Sequence, residues 1–432
     1  MPRRLDSKDG DFAPAFEALV SAKRGAEEDV VLKVRAIIAR VRAEGDAALV
    51  ALSNRYDCSG LSAAGLKVAP AEIEGAIAQV PKAELAAIDR AAARIEAYHR
   101  RQLPRDESFR DEQGAFLGWR WTPLDSAGLY VPGGTAAYPS SVLMNAIPAS
   151  VAGVRRLAMT TPATAGRINP LVLAAARRAG VDEIFRIGGA QAIAALAYGT
   201  LSVPPVDKIV GPGNQWVAAA KREVFGQVGI DAIAGPSEIL VIADGANDPD
   251  WIAADLLSQA EHDTSSESIL ITDDADFAGR VAEAVERALA VLPRKEIAAK
   301  SWNDHGAIIV VEKLDEAASL ADRIAPEHLE IATAEPRRLL ALVRHAGAIF
   351  LGRHTPEAMG DYIAGPNHVL PTSRTARFSS GLSVADFMKR TTIVELDAAA
   401  LALLAPDAMT LAEAEGLDGH ARSIGIRLNR RA

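Results

Sequence analysis

Cysteine is nearly absent: Cys58 is the only one in 432 residues. One thiol cannot close an internal disulfide, and no CxxC pair exists to hold a structural zinc or an iron–sulfur cluster. Long apolar runs are missing too. No stretch reaches the about 18 apolar residues of a membrane-spanning helix, and even 396–404 falls short. The opening residues, MPRRLDSKDGDF, turn acidic where a secretory leader would place its apolar stretch. Net charge is −9, and beyond residues 2–4 no basic cluster shows itself. GxGxxG and GxxxxGK[ST] are both absent, so neither a standard dinucleotide fingerprint nor a P-loop is present. What remains is an expected soluble, cytoplasmic protein with no nucleic acid or membrane as partner.

A hydrophobic share of 49% and a charged share of 24% are those of an ordinary globular chain. The length suits two or three domains at roughly 100–200 residues each. Residues 30–50 and 70–103 carry apolar positions at helical spacing, with a turn-rich break at 59–69. From about 124, short β-like runs alternate with helical runs, the signature of βαβ units around a parallel sheet. A second such series begins near 239, so two α/β blocks follow. The text is loop-rich from 352 to about 383 and helical afterwards. The expected division is a helical N-terminal region at 1–123 packing on the second block, then α/β blocks at 124–236 and 237–382. A C-terminal helical extension fills 383–432.

Glycine turns stand where strands hand over to helices: Gly133-Gly134-Thr135, Gly188-Gly189 and Gly211-Pro212-Gly213-Asn214. That edge of an open sheet is where ligands bind, and glycine lets a phosphate approach the backbone. Any one of these turns also reads as plain chain reversal; three in one block favour a phosphate-bearing ligand. Gln259 and His262 share one side of a helix end, where His also suits the helix dipole. Glu327-His328 in APEHLE opens a strand and offers an acid beside an imidazole, or simply a capped turn. Asp361, His368, Glu415 and His420 lie in glycine-punctuated loops.

Taken together these segments resemble the histidinol dehydrogenase family. The likeness rests on SQAEHD (258–263), APEHLE (325–330), GDYIAGPNHVLPT (360–372), SGLSVADFMKR (380–390) and AEGLDGH (414–420). GLYVPGG (128–134), GGAQAIAALAYGT (188–200), GPGN (211–214) and IDAIAGPSEILVIAD (230–244) add to it, in order along nearly the whole chain. The resemblance implies two incomplete doubly wound, Rossmann-like α/β domains, which accounts for the missing GxGxxG. It implies one zinc per site on Gln259, His262, Asp361 and His420, and NAD at Tyr130, Gln191 and Asn214. Ser237, Gln259, His262, His328, Asp361, His368, Glu415 and His420 would line the substrate pocket. Trp216 stands where members more often show tyrosine, and Pro366 varies.

The implied reaction takes L-histidinol through the aldehyde to L-histidine with two NAD, the last steps of histidine biosynthesis. His328 would take the hydroxyl proton, and Glu327 would activate the water that adds to the aldehyde. The resemblance also implies a homodimer with shared active sites, His420 reaching the neighbour's zinc. A paralogous zinc/NAD dehydrogenase of another small alcohol, such as a sulfonated diol, is the nearest rival. Glu415, able to meet an ammonium group, favours histidinol. A non-catalytic metal-binding scaffold is a third reading, against which the Glu327-His328 pair speaks.

Overall fold

The structure is a computed structural model, and it describes residues 1–21, 28–57, 60–133, 137–181 and 183–428. Cys58, Gly134 and Thr135 lie outside the described residues.

Two parallel sheets organise the chain. The first holds Ser126–Tyr130, Arg156–Thr160, Glu183–Phe185, Lys208–Val210 and Gly229–Ile230. Numbered along the chain, these strands lie in the order 3-2-1-4-5. The second holds Glu238–Ala243, Glu267–Thr272, Ala307–Val310, His328–Ala332 and Ala348–Leu351 in the same order. Arg3–Asp6 adds a parallel edge strand beside Ala307–Val310. That order is the doubly wound arrangement without its sixth strand. The central strands EILVIA and ESILIT are buried at every residue. Both faces are covered by helices, as continuous apolar strands require. Proline at the first turn starts the helices Pro139–Ala152, Pro170–Arg178 and Pro249–Ala260. There the missing N–H costs no hydrogen bond.

The N-terminal region corrects the expectation that it packs on the second unit. Arg3–Asp6 and Phe12–Val20 do so, with Phe16 and Leu19 in the core of its sheet. Val30, Val34, Ile38 and Val41 of helix Glu28–Glu44 pack instead with Ala190–Ala197 in the first unit. Ile88, Ala92 and Ile95 of helix Lys82–Arg100 join the cluster of helices Pro139–Ala152 and Pro170–Arg178. The reason is compositional. Helices Pro139–Ala152 and Gly189–Tyr198 are apolar nearly all round and need a second layer of cover.

Neither terminal region is wholly helical, a second correction. Glu107–Arg110, Phe116–Pro123 and Met388–Glu395 form a three-stranded antiparallel sheet, pairing Met388 with Pro123 and Glu395 with Phe116. The β-branched run of Met388–Glu395 (MKRTTIVE) explains the strand within the C-terminal extension. Helices Ala398–Ala414 and Asp418–Gly425 follow and pack mainly on each other. Among the described residues, no helix is long and apolar enough to cross a membrane.

Candidate active site

The carboxyl edge of the first sheet carries the glycine turns. Tyr130 ends its strand with a buried side chain, and its hydroxyl accepts the Gly189 N–H at 3.1 Å. Burial pushes that hydroxyl up to about 12, so it stays neutral. Gln191 is buried on the helix opened by the same turn. Across the switch between strands 1 and 4, Gly211 has φ +116°, and an added Cβ would strike the Tyr130 carbonyl. Only glycine fits there. The turn is braced from beneath: Asp231 accepts the Gly211 N–H at 2.8 Å and pairs with buried Lys221. Lys221 in turn donates to the Gly211 carbonyl at 3.0 Å. Asn214 caps helix Gln215–Val224, its side chain accepting from the N–H groups of Trp216 and Val217.

The chemistry-bearing side chains gather at the opposite, amino edge of the second sheet. Glu327 and His328 open the strand His328–Ala332 beside Glu238, the first residue of the central strand. The Glu327 carboxylate accepts the Glu238 N–H at 3.0 Å. His328 Nδ1 lies 3.0 Å from the Glu238 carbonyl. A carbonyl can only accept, so Nδ1 carries the proton and Nε2 keeps its lone pair. Burial holds the His328 imidazole down at about 4, against the raising pull of Asp361. It is therefore a neutral base at physiological pH. Burial pushes Glu327 well above the usual carboxylate range.

Gln259 reaches in from the last turn of helix Pro249–Ala260, its amide nitrogen 3.3 Å from His328 Nδ1. Asp361 arrives on the short helix Ala358–Tyr362. Burial would raise its carboxyl, but the hydrogen bond and charge of His368 prevail and hold it below the usual range. His368 Nδ1 stands 3.5 Å from that carboxylate. Glu357 Oε1 lies 3.5 Å from His328 Nε2. Ligand atoms of His328, Glu357 and Asp361 all fall within 4.8 Å of one another.

Four buried atoms here, Gln259 Oε1, His328 Nε2, Glu357 Oε1 and His368 Nε2, take no hydrogen bond among the described residues. Buried polar atoms are ordinarily paired. Orphans converging beside a low-pKa carboxylate fit a cation with oxygen and nitrogen donors.

Over residues 21–428 the chain matches the family described as histidinol dehydrogenase. The histidinol dehydrogenase of Rhodospirillum rubrum is 63% identical over 431 residues, covering 100% of this chain and 99% of that one. That of Rhizobium meliloti is 61% identical over 429 residues, 99% of each. The chain belongs to the histidinol dehydrogenase family. A solved histidinol dehydrogenase from Elizabethkingia anophelis shares its fold at a TM-score of 0.94 and 34% identity, covering 99% of this chain and 98% of that one.

For a member of this family, the chain by itself gathers most of the expected pocket. Gln259, His328, Asp361 and His368 meet with Glu327. His262 sits exposed at the rim, one turn past Gln259, and its charge is felt at His328 and Asp361. Ser237 immediately precedes Glu238 on the same edge. Glu415 and His420 lie exposed on the C-terminal helix pair. Among the described residues, no hydrogen bond or ion pair ties either to the cluster.

Three carboxyls escaped the sequence reading. Glu357 sits four residues before Asp361, and burial pushes it up to about 8. Its N–H donates to Glu330 of the strand His328–Ala332. Burial likewise raises Glu330 well above its usual range, and Asp255 to about 6. Asp255 precedes Gln259 by four residues, one helical turn. An acid inside an otherwise apolar strand, as in HLEIA, is the signal that could have found Glu330.

Proposed function

We propose that the chain oxidises L-histidinol through L-histidinaldehyde to L-histidine with two NAD, completing histidine biosynthesis. The observation that carries this is His328, a buried neutral imidazole with Nδ1 held by Glu238 and Nε2 left as a base. Family membership supplies the substrate. The first unit, 124–236, holds NAD at Tyr130, Gln191 and Asn214; the second, 237–382, holds the chemistry.

Alcohol to carboxylate is a four-electron change, so two hydrides leave and one water enters. In the first half His328 Nε2 takes the hydroxyl proton as hydride passes to NAD. In the second, Glu327 takes a proton from the water that adds to the aldehyde carbon, and a second NAD accepts hydride from the hydrate. Burial raises the proton affinity of the Glu327 carboxylate, which strengthens it as the base in that step. The residues present fit a zinc ion: Gln259, His262 and Asp361 would hold it, with His420 of a second copy. Bound there, it would supply positive charge that orients the imidazole and amine of the substrate. The sulfonated diol is not favoured, because the charged groups lining this cluster are carboxylates.

NADH formed per histidinol consumed, read by absorbance against histidine by chromatography, tests the reading. Two NADH are expected, with little free aldehyde. A ratio near one with aldehyde in solution would overturn it.

A homodimer with shared sites completes this reading. The C-terminal helix pair that carries Glu415 and His420 exposes Leu403, Leu411, Leu417 and Ile426. A unit this small rarely buries an adequate core alone. In mixed dimers of the inactive His328→Asn and His420→Asn chains, activity per mixed dimer should return towards half, since one of its two sites escapes both lesions. Mixtures that demonstrably contain the mixed dimer yet stay inactive would refute shared sites.

A further inference from the structure

At the carboxyl edge of the first sheet the ends of strands 2 and 3 carry no acid, and Asp231 at the end of strand 5 is taken up by Lys221 and the Gly211 N–H. Strand 2 ends in Thr160-Thr161-Pro162, strand 3 in Ile187-Gly188-Gly189. In doubly wound nucleotide sites an acidic residue near the end of strand 2 holds the adenosine ribose hydroxyls and keeps out a 2′-phosphate. Here an acid arrives from elsewhere in the chain. Asp57 ends helix Asp46–Tyr56 of the N-terminal layer, its N–H bonded to the Ser53 carbonyl. Its carboxylate accepts from Gln191 Nε2 at 3.4 Å and from the Gly188 N–H.

Close packing fixes where that carboxylate stands. A Cβ added to Gly188 would lie 3.3 Å from Asp57 Oδ2 and 2.7 Å from Pro162 Cβ. Asp57 therefore sits over the ends of strands 2 and 3, where Pro162 and Gly188 meet. It is close enough to Tyr130 for its charge to bear on that hydroxyl. Burial pushes the Asp57 carboxyl up, and the Gly188 N–H offsets this only in part. A half-buried acceptor whose donors are a backbone amide and a side-chain amide has room for stronger ones. The two hydroxyls of a ribose are such donors.

We propose that Asp57 accepts hydrogen bonds from the adenosine ribose of NAD and thereby makes the enzyme select NAD over NADP. This rests on placing NAD at Tyr130 and Gln191. The N-terminal helical layer then has two tasks: it covers the alanine-rich helices of the first unit, and it supplies the acid that the ends of strands 2 and 3 lack. A 2′-phosphate would bring a charge of roughly −2 against this carboxylate in a partly desolvated place.

The test is kcat/KM of the purified enzyme for NAD and for NADP, with histidinol saturating. Asp57→Asn keeps the size of the side chain and removes its charge. It should raise KM for NAD about tenfold and shift the NAD:NADP ratio towards NADP by about a hundredfold. Asp57→Glu, which restores the charge, should restore the preference for NAD. A purely structural role would lower thermal stability and both kcat/KM values together, leaving their ratio unmoved; that result overturns the proposal. Tyr130→Phe and Gln191→Ala serve as controls. If they raise KM for NAD while Asp57→Asn leaves the ratio unchanged, selection by Asp57 is refuted and the cofactor site stands. If they too leave KM for NAD unchanged, the placement of NAD fails, and selection by Asp57 fails with it.

Discussion

The two α/β units share one strand order, and their buried polar clusters and glycine turns stand at opposite edges of it. In the first, the carboxyl edge carries glycine turns, Gly188-Gly189 and Gly211, whose backbone packs closely beside Tyr130. In the second, the corresponding carboxyl edge is a cavity of about 570 Å³ lined by Asp244, Gly245, Ala246, Asp273, Asp274, Ala275 and Asp276. Four carboxylates there repel a phosphate. Asp244 is also tied to Arg353, and an added Cβ on Gly245 would strike the Asp274 carboxylate. The second unit therefore keeps the doubly wound frame without an anion site at its switch point. Its buried cluster of imidazole, amide and carboxyl groups lies instead at the amino ends of strands 238–243 and 328–332. The strand order alone would have pointed to the carboxyl edge and away from this cluster, because a fold does not fix where its site lies.

The comparison breaks most visibly at the amino edge of the second sheet. His328→Asn should slow both half-reactions by roughly 10²–10⁴-fold, since the general base is lost. Glu327→Gln should spare the step that ends at the aldehyde and hurt aldehyde oxidation. Single-turnover assays started from histidinol and from histidinaldehyde separate the two. Equal loss in both halves for Glu327→Gln would refute the division of labour.

A smaller effect contrasts the two carboxyl edges directly. Gly211→Ala must displace the Tyr130 carbonyl or its own turn, so KM for NAD should rise by about tenfold. Asp273→Asn, at the acidic edge of the second unit, should leave KM for NAD within about twofold. An increase from the second variant matching that of the first would place nucleotide on the acidic edge and undo the contrast.

How legible this was in the sequence differs by region, for physical reasons. EILVIA, with its flanking Asp248-Pro249 helix start, announces a buried parallel strand and a capped helix in local chemistry alone. Two α/β blocks could therefore be read without a structure. The partner of an amphipathic helix cannot, because Val30, Val34 and Ile38 state only that one face is apolar. The strand Met388–Glu395 was hidden for a similar reason: its pairing partner lies some 270 residues earlier. At the site, the Glu327-His328 dipeptide and the Gln259/His262 spacing became readable through the family likeness. Glu238, Glu330, Glu357 and Asp255 look like ordinary surface acids in the text. Their burial is a tertiary property, and with it comes the altered titration of Glu330, Glu357 and Asp255.

The smallest effect concerns what holds the two units in register across the long loop. His99 is fully buried at the end of helix Lys82–Arg100, with Nδ1 2.8 Å from the Ile95 carbonyl and Nε2 3.4 Å from Asn367 Nδ2. Asn367 also donates to the Met144 carbonyl at 2.6 Å, anchoring the loop that carries His368 to the first unit. Burial lowers the pKa of His99, while the Ile95 and Leu382 carbonyls act to raise it. The folded state therefore holds a neutral imidazole, and the unfolded chain takes up a proton near the usual value of about 6.5. More protons bound when unfolded means stability that is full above about pH 6.5 and lost as pH falls through and below it. Melting temperature should accordingly drop between about pH 7.5 and about pH 5.5. His99→Gln, which offers a donor and an acceptor but does not titrate, should start lower and fall less. A loss of about 1 kcal/mol corresponds to roughly 2–4 °C in a domain of 150–250 residues, so differential calorimetry can read it. Parallel pH profiles for the two proteins would show that His99 does not link proton uptake to the joining of the units.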